Sequence, residues 1–263
     1  MNYYNEFDPY AAQWLRNLID AGHLPNGEVD SRSIKDVKAS ELTGYTQCHF
    51  FAGLGGWSHA LRLARWPEDR PVWTGSCPCQ PFSAAGAGGG VTDERHLWPT
   101  WFNLIRECRP DVIFGEQVEA AVNHGWLDLV QSDLEGEGYA CGSVGIPAGG
   151  VGAPHIRQRL WFVADANGTR SAAGVSGQEY GEEGVAEVAY HGGGGESGAG
   201  QRSETFWSDC DWLPCRDGKA RPVEPGTFPL AHGVSARVGR LHAYGNAIVP
   251  QVAQTFIEAY LES

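Results

Sequence analysis

The sequence predicts an α/β fold: a doubly wound, mainly parallel sheet carrying a small, loop-rich region. Three observations support this. Apolar runs of strand length alternate with amphipathic runs of helix length. Two of the strand-like runs end in Gly- or Pro-rich turns, where doubly wound sheets present their ligands. A tract rich in Gly, Ser, Ala and Glu interrupts the alternation at 167–203, and a helical pattern returns only near residue 250.

Taken in order, NYYNEF at 2–7 reads as a short strand, followed by a helix that starts at Pro9 and carries an apolar stripe of Ala11, Ala12, Trp14, Leu15 and Leu18. Pro25, Asn26 and Gly27 mark a polar loop. QCHFFA at 47–52 is a buried strand that runs through the turn GLGG into the helix WSHALRLARW. VWTGS at 72–76 is a second buried strand, leading to CPCQPFS and the glycine tract AAGAGGG. A helix at 97–108, the strand DVIFGE, a helix at Trp126–Glu137 and the strand RLWFVA at 159–164 complete the alternation. Residues 1–165 and 240–263 therefore form the large domain, and 166–239 a small region with a flexible insert. Within that region Asp217-Gly218 is a hairpin signal between WLPCR and KARPV. VAQTFIEAYL, near the C-terminus, is the last helix.

Composition narrows the functional classes. Hydrophobic residues make up 42% of the 263 and charged residues 19%, which suits a packed core. No apolar run approaches bilayer-spanning length, and the acidic, aromatic start MNYYNEFDPY is unlike a secretion signal, so a cytoplasmic protein is expected. Seven scattered cysteines then read as free thiols. The net charge of −13 opposes general nucleic-acid binding, but Arg216, Lys219, Arg221, Arg237 and Arg240 form a local basic stretch.

Four features carry chemistry. FAGLGG, Phe51–Gly56, follows a strand and opens a helix, where glycines admit a ligand close to the backbone. A plain tight turn fits the same pattern. Cys79 in PCQPFS lies just beyond a strand and beside prolines, a poor place for a core residue. With Cys77, Cys210 and Cys215 it would otherwise make a zinc site, although no second close Cys/His pair supports one. Glu116 closes the strand DVIFGE, where a carboxylate is costly unless used or paired. Arg157 and Arg159 share one face leading into RLWFVA.

The order FAGLGG, PCQPFS, Glu after a strand, RQR before a strand and a late GNAIVP resembles the DNA cytosine-5 methyltransferases. The resemblance covers about 50–165 and 237–262, and PCQPFS is its most specific element. It implies the S-adenosylmethionine-dependent methyltransferase fold, with 166–239 as target-recognition region. It also implies S-adenosylmethionine as cofactor and double-stranded DNA with a flipped-out cytosine as substrate, acted on by a monomer. Cys79 would attack carbon 6 of cytosine, Glu116 would contact N3 and the amino group, and Arg159 would bond O2 with Arg157 in support. Phe51, Ala52, Gly53, Leu54, Gly55, Gly56, Pro78, Asn246 and Ile248 would border the cofactor. Gln80, Ser83 and Arg95 of the cysteine loop, and Arg216, Lys219 and Arg221 of the basic stretch, would meet DNA. No metal is implied.

The chain departs from the family pattern at several points. Gln117 replaces the usual Asn of Glu-Asn-Val, and His155 stands where Gln is common. Only RWPEDRPVWTGS separates Arg65 from Cys77, which leaves no room for the acidic cofactor segment. YNEFDPYAAQWLRN, Tyr4–Asn17, resembles that segment moved to the front. Glu6 would then hold the ribose, Phe7 would stack on adenine, and Asp36 or Asp30 would contact the adenine amino group. An RNA cytosine methyltransferase and a non-catalytic DNA-binding relative are the alternatives.

Overall fold

A computed structural model describes residues 1–78, 97–168 and 247–263 and, as backbone, 211–214 and 220–223. Cys79, Gln80, Ser83, Arg95, the 170–203 insert, Arg216, Lys219 and Asn246 lie outside the described residues, as does the side chain of Arg221.

The main sheet has seven strands: β1 Asn2–Asn5, β2 Gly27–Asp30, β3 Gln47–Phe50, β4 Val72–Gly75, β5 Val112–Val118, β6 Ala140–Pro147 and β7 Gln158–Asp165. Their spatial order is β2-β1-β3-β4-β5-β7-β6. The pairs from β2 to β5 are parallel. β7 runs antiparallel to β5 and β6. The helices are α1 Pro9–Asp20, α2 Gly56–Leu63, α3 Trp98–Cys108, α4 Trp126–Gly136 and α5 Pro250–Leu261. A separate antiparallel pair, β8 Asp211–Pro214 and β9 Ala220–Val223, flanks the Asp217-Gly218 signal.

Side-chain alternation explains the layers. Tyr4, His49, Thr74 and Phe114 point to one face, since the register pairs Tyr4 with His49, His49 with Thr74 and Thr74 with Phe114. Trp57 of α2 and Phe256 of α5 pack on Phe114. Leu15 of α1 clusters with Tyr4. Tyr3, Phe50, Trp73 and Ile113 point to the other face, into a core with Trp98 and Trp101 of α3 and Trp126 of α4. Burying such aromatic area is the main drive for this packing.

These contacts fix the hand of each crossover. The β1–α1–β2 connection moves one way along the sheet under α1's face. The β4–α3–β5 connection moves the opposite way on the opposite face, so both have the same hand, which for nearly all parallel crossovers is the right hand. The β3–α2–β4 connection also moves toward β5, but α2 lies on the α1 face, which makes this crossover left-handed. That arrangement is rare, and it has a functional corollary. Because α2 follows β3 on one face while α3 follows β4 on the other, a crevice opens between the carboxyl ends of β3 and β4.

A second outer strand within 19–46, which the moved acidic segment requires, is found, and one strand departs from the sequence reading. The Pro25–Gly27 loop ends in β2, and the stretch rich in Gly and Pro before the arginines forms β6. Both are edge strands, each paired on one side only. Edges tolerate the Gly and Pro that hide strand signals. The expected helix through Trp66 stops earlier, at Leu63.

His49 gives a test of the core. Its Nδ1 lies 2.8 Å from Thr74 Oγ1, its ring stacks on Tyr4 at 4.9 Å, and Nε2 has no partner. Burial pushes its pKa down to about 3. The imidazole is therefore neutral in the fold, whereas in the unfolded chain it takes up a proton below about pH 6.5. Its contribution is fully present above that pH and is lost as pH falls toward 3, by about 1.4 kcal/mol per unit. Denaturant midpoints measured from pH 7 to 5 should fall more steeply for the wild type than for His49→Gln. Equal slopes would contradict a neutral buried His49.

Candidate active site

The glycine turn joins β3 to α2 by left-handed backbone at Phe51, Gly53 and Gly55, with φ of 51°, 55° and 80°. A Cβ on Gly55 would lie 2.4 Å from Leu24 Cδ1, and one on Gly56 2.6 Å from Ile248 Cγ1, whereas one on Gly53 would meet nothing within 4 Å. Gly55 and Gly56 are thus packing positions, and Gly53 faces open space. Ile248, from the late GNAIVP segment, is brought against the turn.

β1 lies directly beside β3, and its exit reaches the same turn. Glu6 Oε2 accepts a hydrogen bond from Gly53 N at 2.7 Å, and Oε1 accepts from Asp8 N at 2.8 Å. Asp8 caps α1 by accepting from Tyr10 N and Ala11 N. Phe7, between them, leaves 70% of its surface exposed. An apolar ring beside a carboxylate and an open glycine turn suits the adenosine end of a nucleoside cofactor.

The two candidate aspartates differ. Asp30 ends β2, where Arg32 grips both carboxylate oxygens and Tyr3 donates its hydroxyl at 2.7 Å. Burial pushes the Asp30 carboxyl up, but the Arg32 and Tyr3 hydrogen bonds outweigh it and hold it below the usual range. Asp36 sits exposed on the 3-10 turn Ile34–Asp36.

Across the crevice, β4 ends at Gly75 and leads through Ser76, buried Cys77 and exposed Pro78 toward Cys79. Gln117, on β5, donates from Nε2 to Cys77 O at 3.4 Å and accepts from Val118 N through Oε1. The longer amide in place of Asn thus still reaches the backbone of the cysteine segment.

Glu116 is 8% exposed, and its Oε1 lies 2.9 Å from Arg159 Nε. Burial pushes its pKa up, against the pull of Arg159, a Ser76 hydrogen bond and Arg157. Arg159 also donates to Gln158 O at 2.8 Å. Arg157 takes left-handed backbone, φ 37°, and donates from Nη2 to Ala247 O at 2.6 Å. It thereby ties the arginine segment to the start of the last helix. Burial, then repulsion from Arg159, draws its pKa down.

Glu116, Arg157, Arg159, the glycine turn, Glu6 and Ile248 thus gather at one end of the sheet. Sequence reasoning missed Ser76 and Trp57, whose indole Nε1 donates to Ser76 Oγ at 3.1 Å. Trp57 reads as an ordinary core position of an amphipathic helix, so only its fold-dependent neighbour reveals it. Among the described residues no group of His, Cys, Asp and Glu is placed to hold a metal, and no helix is long and apolar enough to cross a membrane.

Residues 65–184 match the family described as C-5 cytosine-specific DNA methylase. The chain is 25% identical over 171 residues to the type II methyltransferase M.HhaI of Haemophilus parahaemolyticus, which covers 50% of this chain and 52% of that protein. It is 33% identical over 95 residues to the type II methyltransferase M.AplI of Arthrospira platensis, covering 35% of the chain and 28% of that protein. The chain thus spans about half or less of the length of these relatives. Among solved structures, the Entamoeba histolytica methyltransferase EhMeth aligns with TM-score 0.44 at 14% identity, over 63% of this chain and 45% of that one.

Proposed function

We propose that this chain, a member of the C-5 cytosine-specific DNA methylase family over residues 65–184, methylates carbon 5 of cytosine in double-stranded DNA. The observation that carries the reading is the pair of buried Glu116 and half-buried Arg159, held at the carboxyl end of the sheet beside Ser76 of the segment leading to Cys79. A buried carboxyl group and a half-buried guanidinium side by side match the amino, N3 and O2 edge of a cytosine, which offers both donor and acceptors.

In this reading the Cys79 thiolate adds to carbon 6, and the ring electrons move to carbon 5, turning a poor nucleophile into an enamine. Arg159 donates to O2, where negative charge develops, and Glu116 accepts from the amino group and, in the protonated form that its burial favours, gives its proton to N3 as the thiolate adds, taking it back when the sulfur leaves. Carbon 5 takes the methyl group, its proton leaves to a base, and the electrons return to expel the Cys79 sulfur. Arg157 holds Arg159's neighbourhood in place through Ala247. Gln80, Ser83 and Arg95, with Arg216, Lys219 and Arg221 of the 166–239 region, would contact the duplex.

S-adenosylmethionine, the methyl donor, fits the residues present. Open space at Gly53, the Glu6 carboxylate and the exposed Phe7 ring lie together. Glu6 would accept the ribose hydroxyls, Phe7 would cover the adenine, and Phe51–Gly56, Pro78, Asn246 and Ile248 would border the methionine part. Asp30 or Asp36 would reach the adenine amino group. The left-handed β3–α2–β4 crossover supports a moved acidic segment: were α2 to lead into β1 instead, as in the family order, the crossover would be right-handed.

Two measurements test these statements. Incubation with labelled S-adenosylmethionine and either mixed-sequence DNA or RNA, followed by nucleoside analysis, should yield 5-methylcytosine from DNA. Label in RNA alone would move the substrate, and label in neither would sink the reading. Glu6→Ala should weaken S-adenosylmethionine binding by about tenfold or more, since hydrogen bonds to a charged group contribute roughly 1.5–3 kcal/mol each. Calorimetric titration reads this directly. Unchanged affinity would make the front segment scaffold only.

A further inference from the structure

A residue outside the family's motif roles lies between the two halves of the site. Ser76 follows β4 and is half-buried between Trp57 of α2 and Glu116 of β5. The indole Nε1–H of Trp57 can only donate, and it donates to Ser76 Oγ at 3.1 Å. That bond occupies one lone pair of the hydroxyl and turns its single hydrogen toward another acceptor. The parallel register pairs Gly75 with Gly115, so Glu116 is the cross-strand neighbour of Ser76 and its carboxylate is the acceptor next to the hydroxyl. Arg159 Nε meets Glu116 Oε1 from β7 at 2.9 Å. The carboxylate is thus held from two sides, by a charged and by a neutral donor.

We propose that Ser76 is a positioning residue for Glu116, itself oriented by Trp57, so that the glycine-turn helix sets the geometry of the base-binding carboxylate. The proposal rests on the reading of Glu116 given above. Trp57 is well suited to the task. It is 3% exposed, stacked on Phe114 and set edge-on to Trp161 at 5.4 Å, so its N–H has little freedom to turn away. A hydroxyl fixed in this manner needs no reorganisation as charge shifts on the carboxylate during attack on the ring.

The groups facing Glu116 are Arg159 from β7, Arg157 from the segment just before it and Ser76 from the segment just after β4, with His155 beside the two arginines. Removing the Ser76 hydroxyl leaves the arginines in place and takes away a bond to the ionised form. The Glu116 pKa should therefore rise, by about one unit for a tenfold loss of that preference.

The test is a carboxyl-carbon NMR titration of Glu116 in the full chain, assigned by Glu116→Gln, without DNA or cofactor. Ser76→Ala should move the midpoint up by about one unit, and Trp57→Phe should move it the same way by less. Ser76→Thr, which keeps the hydroxyl, should restore it. In methyl-transfer assays the alkaline shift of the pH profile should follow the same order, with kcat falling about tenfold in Ser76→Ala and KM for S-adenosylmethionine little changed. A Glu116 midpoint unmoved in Ser76→Ala would overturn the proposal. Because the titration needs no turnover, a shifted midpoint in a protein that methylates no nucleic acid would count against the reaction and not against the Ser76 contact.

Discussion

Cys79→Ala abolishes methyl transfer while S-adenosylmethionine binds with near wild-type affinity: this is the largest effect the proposed mechanism expects. The thiolate supplies the bond that activates the ring, and no neighbouring oxygen or nitrogen replaces its combination of acidity and nucleophilicity. The groups assigned to the adenosine, Glu6 and Phe7, sit on the exit of β1, on another strand from the cysteine segment. Cys77→Ala provides the contrast. Cys77 is buried against the α3 core rather than turned to the crevice, so its loss should leave substantial activity. Radiometric transfer assays paired with calorimetric cofactor binding separate the two cysteines. Activity retained in Cys79→Ala would assign the nucleophile elsewhere.

Glu116→Gln should lower turnover by about 100–1,000-fold with much less change in DNA affinity. The substitution keeps the shape of the side chain and removes its charge. Two consequences follow from the surroundings. Arg159 loses the partner 2.9 Å away, and the hydrogen bond from Ser76 no longer ends on a carboxylate. Groups that act on charge developing in the transition state appear in kcat far more than in ground-state binding. Single-turnover kinetics at saturating DNA measures the effect. A variant near wild-type rate would remove Glu116 from the chemistry.

How much of this was legible in the sequence differs by feature. Strands β3, β4, β5 and β7 are buried, largely apolar runs, and their positions could be read directly because strands covered on both faces are rich in apolar residues. Strands β2 and β6 could not be read in the same manner. GEVD is four residues after a turn, and ACGSVGIP carries Gly and Pro that only an edge permits. The adjacency of β1 to β3 was expected from the acidic segment, but the left-handed crossover was not, since handedness depends on which face a helix occupies. At the site, Glu116 and Arg159 announced themselves as charges at strand ends. Ser76 did not, because a lone serine acquires a role only from what lies opposite it. The Asp30 pairing with Arg32 is likewise a product of proximity that spacing does not display.

In the proposed mechanism Cys79 forms a covalent bond to cytosine in the course of methyl transfer. The most direct test of this bond is DNA in which cytosine is replaced by 5-fluorocytosine, incubated with the protein and S-adenosylmethionine and resolved by denaturing electrophoresis. Fluorine at carbon 5 cannot leave as a proton does, so the adduct persists after methylation. A denaturant-resistant complex is expected that needs the cofactor, maps by mass spectrometry to Cys79 and is absent in Cys79→Ala. A complex that survives in Cys79→Ala, or an active wild type that is never trapped, would contradict the mechanism.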